Sequence, residues 1–379
     1  MNKKDLEFKN DIAARSGEII NRCIQCGACT GNCLLANVDA SFNPRNLARM
    51  TLLGMRDYLW EHPEIPYSCN ICGFCKQVCP RGLDISKICL AIREKLVEEA
   101  RGPLAGHKVM DEDLDFARSS AFALTLPDPD TAECRQVWFP GCSLSGYSPL
   151  LAIKTWDYLR KKLPGTGIIL GCCGTLPEII GRKSVYWELS KELQANVHKL
   201  GASELITGCP DCFCTIKAAA PNFRVKGLYE VLAEVGIPEE IGWSGETFSL
   251  HDPCKARWEK GWHESVRILL NRMGCQIEEL RHSKELTYCC GQGGLSVGLN
   301  PFRVLNLASE RLAEAHFDMV SYCAGCRETF AFSKPSLHIL DLLFNPNWKR
   351  DKTKKPNLVE PRRKNRAELK SQLETRQKV

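Results

Sequence analysis

Ile168-Ile169-Leu170-Gly171-Cys172-Cys173-Gly174 is a short apolar run that ends in two adjacent cysteines and a glycine. Such a run reads as a buried strand. After it, helical spacing covers 177–200, and a second run, Leu205-Ile206-Thr207, leads into Cys209-x-x-Cys212. Upstream, Val137-Trp138-Phe139 leads into Cys142, and a helical pattern over 149–162 follows. Strands alternating with helices predict a parallel α/β sheet. Open α/β sheets bind ligands beyond the carboxyl ends of their strands. This stretch therefore gathers five thiols, Cys142, Cys172, Cys173, Cys209 and Cys212, on one sheet edge.

The same set is written twice. Cys254, Cys289-Cys290-Gly291 and Cys323-x-x-Cys326 repeat it at offsets of 112, 117, 114 and 114 residues (142 to 254, 172 to 289, 209 to 323, 212 to 326). Phe248-Ser249-Leu250, Ile277-Glu278-Glu279-Leu280 and Met319-Val320-Ser321 are the matching strands. Ten of the 22 cysteines thus form a duplicated pattern, which points to paired metal clusters and electron chemistry. Side chains of adjacent cysteines point apart. That is awkward for a zinc tetrahedron or a disulfide and suits a site with several irons.

Residues 15–100 carry a different cysteine pattern, Cys23-x-x-Cys26-x-x-Cys29-x-x-x-Cys33 and Cys69-x-x-Cys72-x-x-Cys75-x-x-x-Cys79-Pro80. This spacing is that of bacterial ferredoxins, in which the fourth cysteine ligates the other cluster. It assigns Cys23, Cys26, Cys29 and Cys79 to one [4Fe–4S] cubane, and Cys69, Cys72, Cys75 and Cys33 to a second. Cys33 is followed by Leu34 rather than proline, a departure from the pattern. Zinc is the other reading of clustered cysteines, but structural zinc uses two separated C-x-x-C pairs rather than three ligands in seven residues. Helical spacing over Asn46–Trp60 and Cys89–Glu99 makes this region mostly helical.

A chain of 379 residues, 44% hydrophobic and 25% charged, is long enough to bury a core without covalent staples. The start has early acids and no apolar stretch, unlike a signal peptide, and no run is long and apolar enough for a spanning helix. The expected compartment is the cytoplasm, where thiols stay reduced and serve metals; a partner protein could hold the chain at the inner face of the membrane. The net charge of +6 comes from the end of the chain, where residues 349–379 hold 12 Lys/Arg against 4 Asp/Glu. That segment reads as a basic, disordered, solvated tail. Nothing in the body suggests nucleic-acid recognition.

The paired ferredoxin motifs, then Phe139-Pro140-Gly141-Cys142-Ser143-Leu144, then two Cys-Cys-Gly (CCG) repeats with His251-Asp252-Pro253-Cys254 opening the second, resemble heterodisulfide reductase. The likeness is to its D-type polypeptide, in which a ferredoxin part similar to the C-type polypeptide is fused to a catalytic part similar to the B-type one. It covers roughly residues 15–345. It implies that Cys142, Cys172, Cys173, Cys209 and Cys212 hold one noncubane [4Fe–4S] cluster, and Cys254, Cys289, Cys290, Cys323 and Cys326 another. These ten are then the catalytic cysteines, and the cofactors are two cubane and two noncubane clusters. It also implies reduction of a small-molecule disulfide in two one-electron steps, with electrons from a donor subunit of ferredoxin, flavoprotein or membrane-cytochrome type. The alternative is an electron-transfer subunit of a dehydrogenase or quinone-linked complex.

The expected architecture is α+β overall. A helical domain with two cubane motifs (15–100) is followed by a linker (101–133), two pseudo-symmetric α/β cysteine-rich domains (134–245 and 246–345) and the tail (346–379). Thr175-Leu176-Pro177 departs from the glycine-rich Gln292-Gly293-Gly294 at the equivalent place. Cys89, Cys134, Cys214 and Cys275 lie outside the sets and read as small buried hydrophobes, with Cys214 the strongest exception. His251 and Asp252 read as turn and capping residues or as proton donors to a departing thiolate. Lys255, Arg257 and Arg327 read as anion binders or as charge balance for clusters.

Overall fold

A computed structural model describes residues 3–239 and 245–377 of the chain. Its N-terminal part is helical, as expected. Helix Lys3–Ser16 packs Phe8 and Ile12 against Trp60, Leu47 and the apolar face of helix Ile85–Glu98. The helical core therefore begins before residue 15. The helix expected over Asn46–Trp60 is two helices, Pro44–Leu52 and Arg56–Glu61, because Gly54 turns the chain at φ 70°. Pro44 starts the first at a position where its missing N–H costs nothing, and the Asn43 side chain accepts from Asn46 N at 3.1 Å. Thr30 donates to that same Asn43 oxygen at 2.8 Å, which ties the first cysteine loop to the helix.

Two sheets follow. The first has strands β1 (Leu124–Leu126), β2 (Gln136–Phe139), β3 (Thr166–Leu170), β4 (Glu204–Thr207) and β5 (Arg224–Gly227), in the order β1-β3-β2-β4-β5. The second has β6 (Thr247–His251), β7 (Gln276–Glu279), β8 (Asp318–Ser321) and β9 (Ser336–His338), in the order β7-β6-β8-β9. Apart from β1, which runs antiparallel to β3, every pairing is parallel. Both repeats place their second, first, third and fourth strands side by side. The chain thus reverses direction across each sheet at its first strand, where α/β folds bind ligands. Residues 240–244, just before the expected 245/246 boundary, lie outside the described residues.

Three further expectations are corrected. The stretch 101–133 is not a loose linker: it holds helix Lys108–Arg118, and β1 completes the first sheet. The tail is not a solvated segment: Val359–Gln377 is a helix whose Leu369 and Leu373 are fully buried in the core shared with Trp138, Leu144 and Trp156. Two leucines four residues apart meet on one helix face, a signal that the surrounding charge obscured. The single helix expected over 177–200 is split into Thr175–Ile179 and Lys183–Lys199 by Gly181, at φ 90°. A Cβ there would come within 2.5 Å of the Arg93 carbonyl oxygen.

Arg93, on helix Ile85–Glu98, joins the three parts. Its fully buried guanidinium donates to Pro66 O (3.0 Å), Cys69 O (2.7 Å), Ile179 O (2.8 Å) and Gly294 O (3.2 Å). The ring of Tyr67 lies 5.0 Å away, and its hydroxyl donates to Ile180 O at 2.9 Å. A buried cation is tolerated only when its donors are satisfied. Arg93→Met removes the donor to four carbonyls; at 1–3 kcal/mol for each orphaned group, the expected loss is at least about 4 kcal/mol, read as a lower urea midpoint of the anaerobic protein.

Candidate metal centres

The two ferredoxin-type loops share one backbone shape. Gln25 and Gly27 have φ of 56° and 84° in the first; Ile71 and Gly73 have 51° and 71° in the second. Left-handed residues alternating with right-handed ones turn successive N–H groups inward, a nest that recurs at iron–sulfur sites. A β-branched residue such as Ile71 is strained there, so the loop keeps a conformation its sequence does not favour. The first loop lines a cleft with Cys23, Cys26, Cys29 and Cys79 on its walls. The second cleft is walled by Cys33, Cys69, Cys72 and Cys75, together with Cys289 of the second cysteine-rich repeat. Ile85 lines both clefts. Cys79 thus lines the cleft of the first loop, and Cys33 that of the second.

In the repeats, the strand ends deliver the cysteines. Cys142 follows β2, Cys172-Cys173 follow β3, and Cys209 stands at the start of helix Pro210–Ala219, after β4. Gly141 lies at φ 74°, and a Cβ on it would be 2.8 Å from Cys212 Sγ. Only glycine lets the two cysteine loops close up there. Cys173, Cys212 and Cys209 are near neighbours, and Cys142 and Cys172 stand within electrostatic reach of them. In the second repeat the five sulfurs are near neighbours, in the order Cys254, Cys289, Cys290, Cys326, Cys323. The backbone N–H groups of Gly174 and Gly291 each donate to the first sulfur of their pair at 3.4 Å.

These four groups stand in a row. Cys72 lies within electrostatic reach of Cys254 and Cys289, and Cys209 of Cys323. The Tyr229 hydroxyl sits 3.0 Å from both Gly208 O and Tyr322 O, the residues just before Cys209 and Cys323, and pins the two repeats together. One end of the row is exposed at Cys26; the rest is buried or partly so.

Thiol chemistry fits a cationic cluster. Burial pushes Cys142 up to about 11 and Cys33 and Cys72 up to about 12. Cys69 is raised first by the neighbouring Cys89 thiol, then by burial. Cys290 is the contrary case: hydrogen bonds from Cys289 and Cys326 hold it down to about 6. Such crowded thiols cannot all ionise against one another, and iron would supply the missing positive charge. Among the described residues, no three Cys, His, Asp or Glu converge on a point suited to a single metal ion. The ferredoxin-type sulfurs line clefts instead, an arrangement that suits a group with several irons.

The other candidates resolve structurally. Fully buried His251 accepts from Arg311 Nε at 3.1 Å, and burial holds its imidazole well below the usual range and therefore neutral. Asp252 accepts from Arg267 (2.9 Å), Tyr322 (2.8 Å) and Lys284 N (2.7 Å), which keeps it ionised. Neither has a proton to give at neutral pH. Arg257 is occupied by Cys72 O (3.2 Å) and Thr287 O (2.7 Å), and Arg327 by Ser336 O and Lys354 O (both 3.0 Å), so neither is free for an anion. Cys214 Sγ donates to Lys255 O at 3.1 Å, and Cys134 accepts from Asp128 N at 3.4 Å. Sequence reading missed a chain of hydroxyls at the first repeat. Thr175 Oγ1 is 3.2 Å from Cys173 Sγ and 2.7 Å from Thr215 Oγ1, which donates to Glu178 at 3.2 Å. Its one signal was the Thr175-Leu176-Pro177 departure. At the second repeat Thr329 donates to the Gln292 amide oxygen (3.1 Å) and Gly325 O (2.9 Å), with no acid at its end.

Comparison with known proteins agrees with this architecture. Residues 19–83 match the 4Fe-4S dicluster domain, and 137–217 and 248–331 each match the cysteine-rich domain family. The D-type polypeptide of the dihydromethanophenazine:CoB–CoM heterodisulfide reductase of Methanosarcina mazei is 26% identical, over 88% of this chain and 93% of that protein. A protein of Archaeoglobus profundus, itself similar to the C-type polypeptide of heterodisulfide reductase, is 34% identical over 28% of this chain and 54% of its own. The EtfAB:quinone oxidoreductase of Syntrophomonas wolfei is 25% identical over 48% of this chain and 27% of that protein. No described helix is long and apolar enough to cross a membrane. The chain therefore joins a 4Fe-4S dicluster domain to two CCG cysteine-rich domains and is similar, over 88% of its length, to the D-type polypeptide of heterodisulfide reductase.

Proposed function

We propose that this chain is the catalytic subunit of a heterodisulfide-reductase-like complex, reducing a small-molecule disulfide between its two cysteine-rich repeats. Cys23, Cys26, Cys29 and Cys79 would hold one cubane, and Cys69, Cys72, Cys75 and Cys33 the other. The five-thiol sets of Cys142, Cys172, Cys173, Cys209 and Cys212, and of Cys254, Cys289, Cys290, Cys323 and Cys326, would hold the noncubane pair. When bound, these clusters supply one-electron transfer, one electron to each sulfur of the substrate. The observation that carries the reading is the nearness of Cys209 to Cys323 at the buried end of a row whose other end is exposed at Cys26. Electrons would arrive from a donor subunit at Cys26, beside exposed Ile24. They would cross the second ferredoxin-type set, then the second repeat, then the first. We place this work in the cytoplasm, with any membrane attachment made through the partner.

Reduction of a disulfide to two thiols takes two electrons and two protons. The donor supplies the electrons. With its hydroxyls turned from the orientation in which Thr215 donates to Glu178, the Glu178–Thr215–Thr175 chain would relay one proton from solvent toward the sulfurs beside Cys173, and the second thiol would take its proton directly from solvent. Each step spans 3.2 Å or less, within reach for general acid catalysis. Tyr229 keeps the strand-end loops of the two repeats at fixed separation.

Iron and acid-labile sulfide are each expected at about 16 per anaerobically purified chain, four clusters of four irons; about four zinc ions without sulfide would exclude any redox reading. Incubating the reduced protein with candidate disulfides should release thiol and produce new paramagnetic signals. Inertness to every disulfide, together with quinone reduction by the reconstituted complex, would instead make the chain a carrier. Glu178→Gln should lower disulfide turnover about 10²-fold or more, within the range for loss of a general acid, without changing iron content. Because the thiol pKa values of Cys142, Cys33 and Cys72 are raised to about 11–12, these groups are protonated at neutral pH without metal, and loading must release their protons. Iron retained after reconstitution and gel filtration should therefore rise from pH 6 to pH 8.

A further inference from the structure

We propose that the C-terminal helix Val359–Gln377 is a working part of the first cysteine-rich site, with Arg366 the positioning residue that holds the Cys142 loop and supplies that site's buried cation. The inference rests on the reading that Cys142 and its four companions hold a cluster. It does not depend on which substrate is reduced.

The helix is docked on the site rather than draped over it. Arg366 is fully buried; its Nε donates to Cys142 O at 2.9 Å, and its terminal nitrogens grip Asp113 at 2.7 and 3.2 Å. One turn earlier Arg362 reaches Ser143 Oγ at 3.4 Å, and Asn365 donates to Gly146 O at 2.8 Å. Asn357, ahead of the helix, donates to Tyr147 O at 3.0 Å. Every residue of the segment 142–147 except Leu144 and Ser145 is thereby touched from the C-terminus. Gly146 permits this, since a Cβ there would lie 3.3 Å from both Arg366 Nε and Arg362 Nε.

The two repeats differ in where their buried cations come from. The second repeat has its own: Arg257 and Arg311 are both fully buried, Arg257 near Cys254 and Arg311 near Cys326 and Cys290. In the first repeat the place of Arg257, three residues after the opening cysteine, is taken by Ser145, and helix Lys183–Lys199, the counterpart of the helix carrying Arg311, has no arginine. Arg366 fills that gap from outside the repeat. Its charge acts on Cys142 and Cys172, and at Cys142 it outweighs the opposing charge of Asp113. A cation beside a cluster stabilises the more negative, reduced form and so raises its potential.

The test uses the full-length, anaerobically purified protein in a potentiometric titration followed by electron paramagnetic resonance. The first site's signal is identified by its loss in Cys142→Ser. Arg366→Gln should lower that site's midpoint by at least about 59 mV, a tenfold change in a one-electron equilibrium, while the second site keeps its own. Arg366→Lys should stay near the wild-type value, and Arg376→Gln, at the exposed end of the helix, should change nothing. Asp113→Asn, which removes the opposing charge without touching the helix core, should shift the same midpoint upward and serves if Arg366→Gln does not fold. An unchanged first-site midpoint in iron-replete Arg366→Gln, or equal shifts at both sites, would overturn the proposal. If Asp113→Asn is the variant available, an unchanged or lowered midpoint would overturn it equally. Absence of any cysteine-rich-site signal from the wild-type chain would instead overturn the cluster reading beneath it.

Discussion

The guanidinium of Arg93 is the constraint around which the molecule is arranged. It is a fully buried cation with no carboxylate bonded to it, satisfied by four main-chain carbonyls from the second ferredoxin-type loop and from both cysteine-rich repeats. Burying a charge is tolerable only when its donors find acceptors, so the three parts of the chain must come together for Arg93 to be buried at all. The same contact sets the distance between the second ferredoxin-type loop and the second repeat. Cys69 O, one of the four acceptors, belongs to the second ferredoxin-type set, and Gly294 O lies in the loop after Cys289-Cys290-Gly291. A Cβ on Gly294 would fall 2.0 Å from Cys69 O, so that loop must be glycine to lie against it. The glycine-rich run Gln292-Gly293-Gly294 serves this docking, whereas its counterpart Thr175-Leu176-Pro177 carries a hydroxyl that meets Cys173.

Duplication therefore does not mean equivalence. Both repeats share a strand order and a five-thiol set, yet they are served differently. The second lies against the second ferredoxin-type cleft through Cys289 and holds its own buried arginines. The first stands at the end of the row, carries the Thr175–Thr215–Glu178 chain, and borrows Arg366 from the C-terminus. Tyr229 is the joint between them, in a cluster with Trp262 (5.2 Å) and Tyr322 (5.6 Å).

Much of this was legible in the residues. Strand runs ending at Cys142, Cys172 and Cys209 were visible because a buried parallel strand is a continuous apolar run, and β2, β3 and β4 lie where those runs stand. The tail was misread because composition is blind to where a side chain points: 12 basic residues outvoted Leu369 and Leu373, although two leucines on one face are enough to dock a helix. The roles of His251, Arg257 and Arg327 were open in sequence because their chemistry suits both structure and function. Burial and bonded partners settle them as structural.

What the sequence by itself determined is the chemistry. Eighteen cysteines at fixed spacings specify which thiols can share a metal group, because spacing along a loop or after a strand is a local property. What only the tertiary structure decided is the order and the asymmetry: which cleft touches which repeat, which end is exposed, where the first repeat finds its cation and its hydroxyl chain. Those depend on contacts between residues distant in sequence, from 40 positions for Thr175 with Thr215 to 201 for Arg93 with Gly294 and 224 for Arg366 with Cys142. Their formation is governed by the desolvation of buried charge, which no local pattern records.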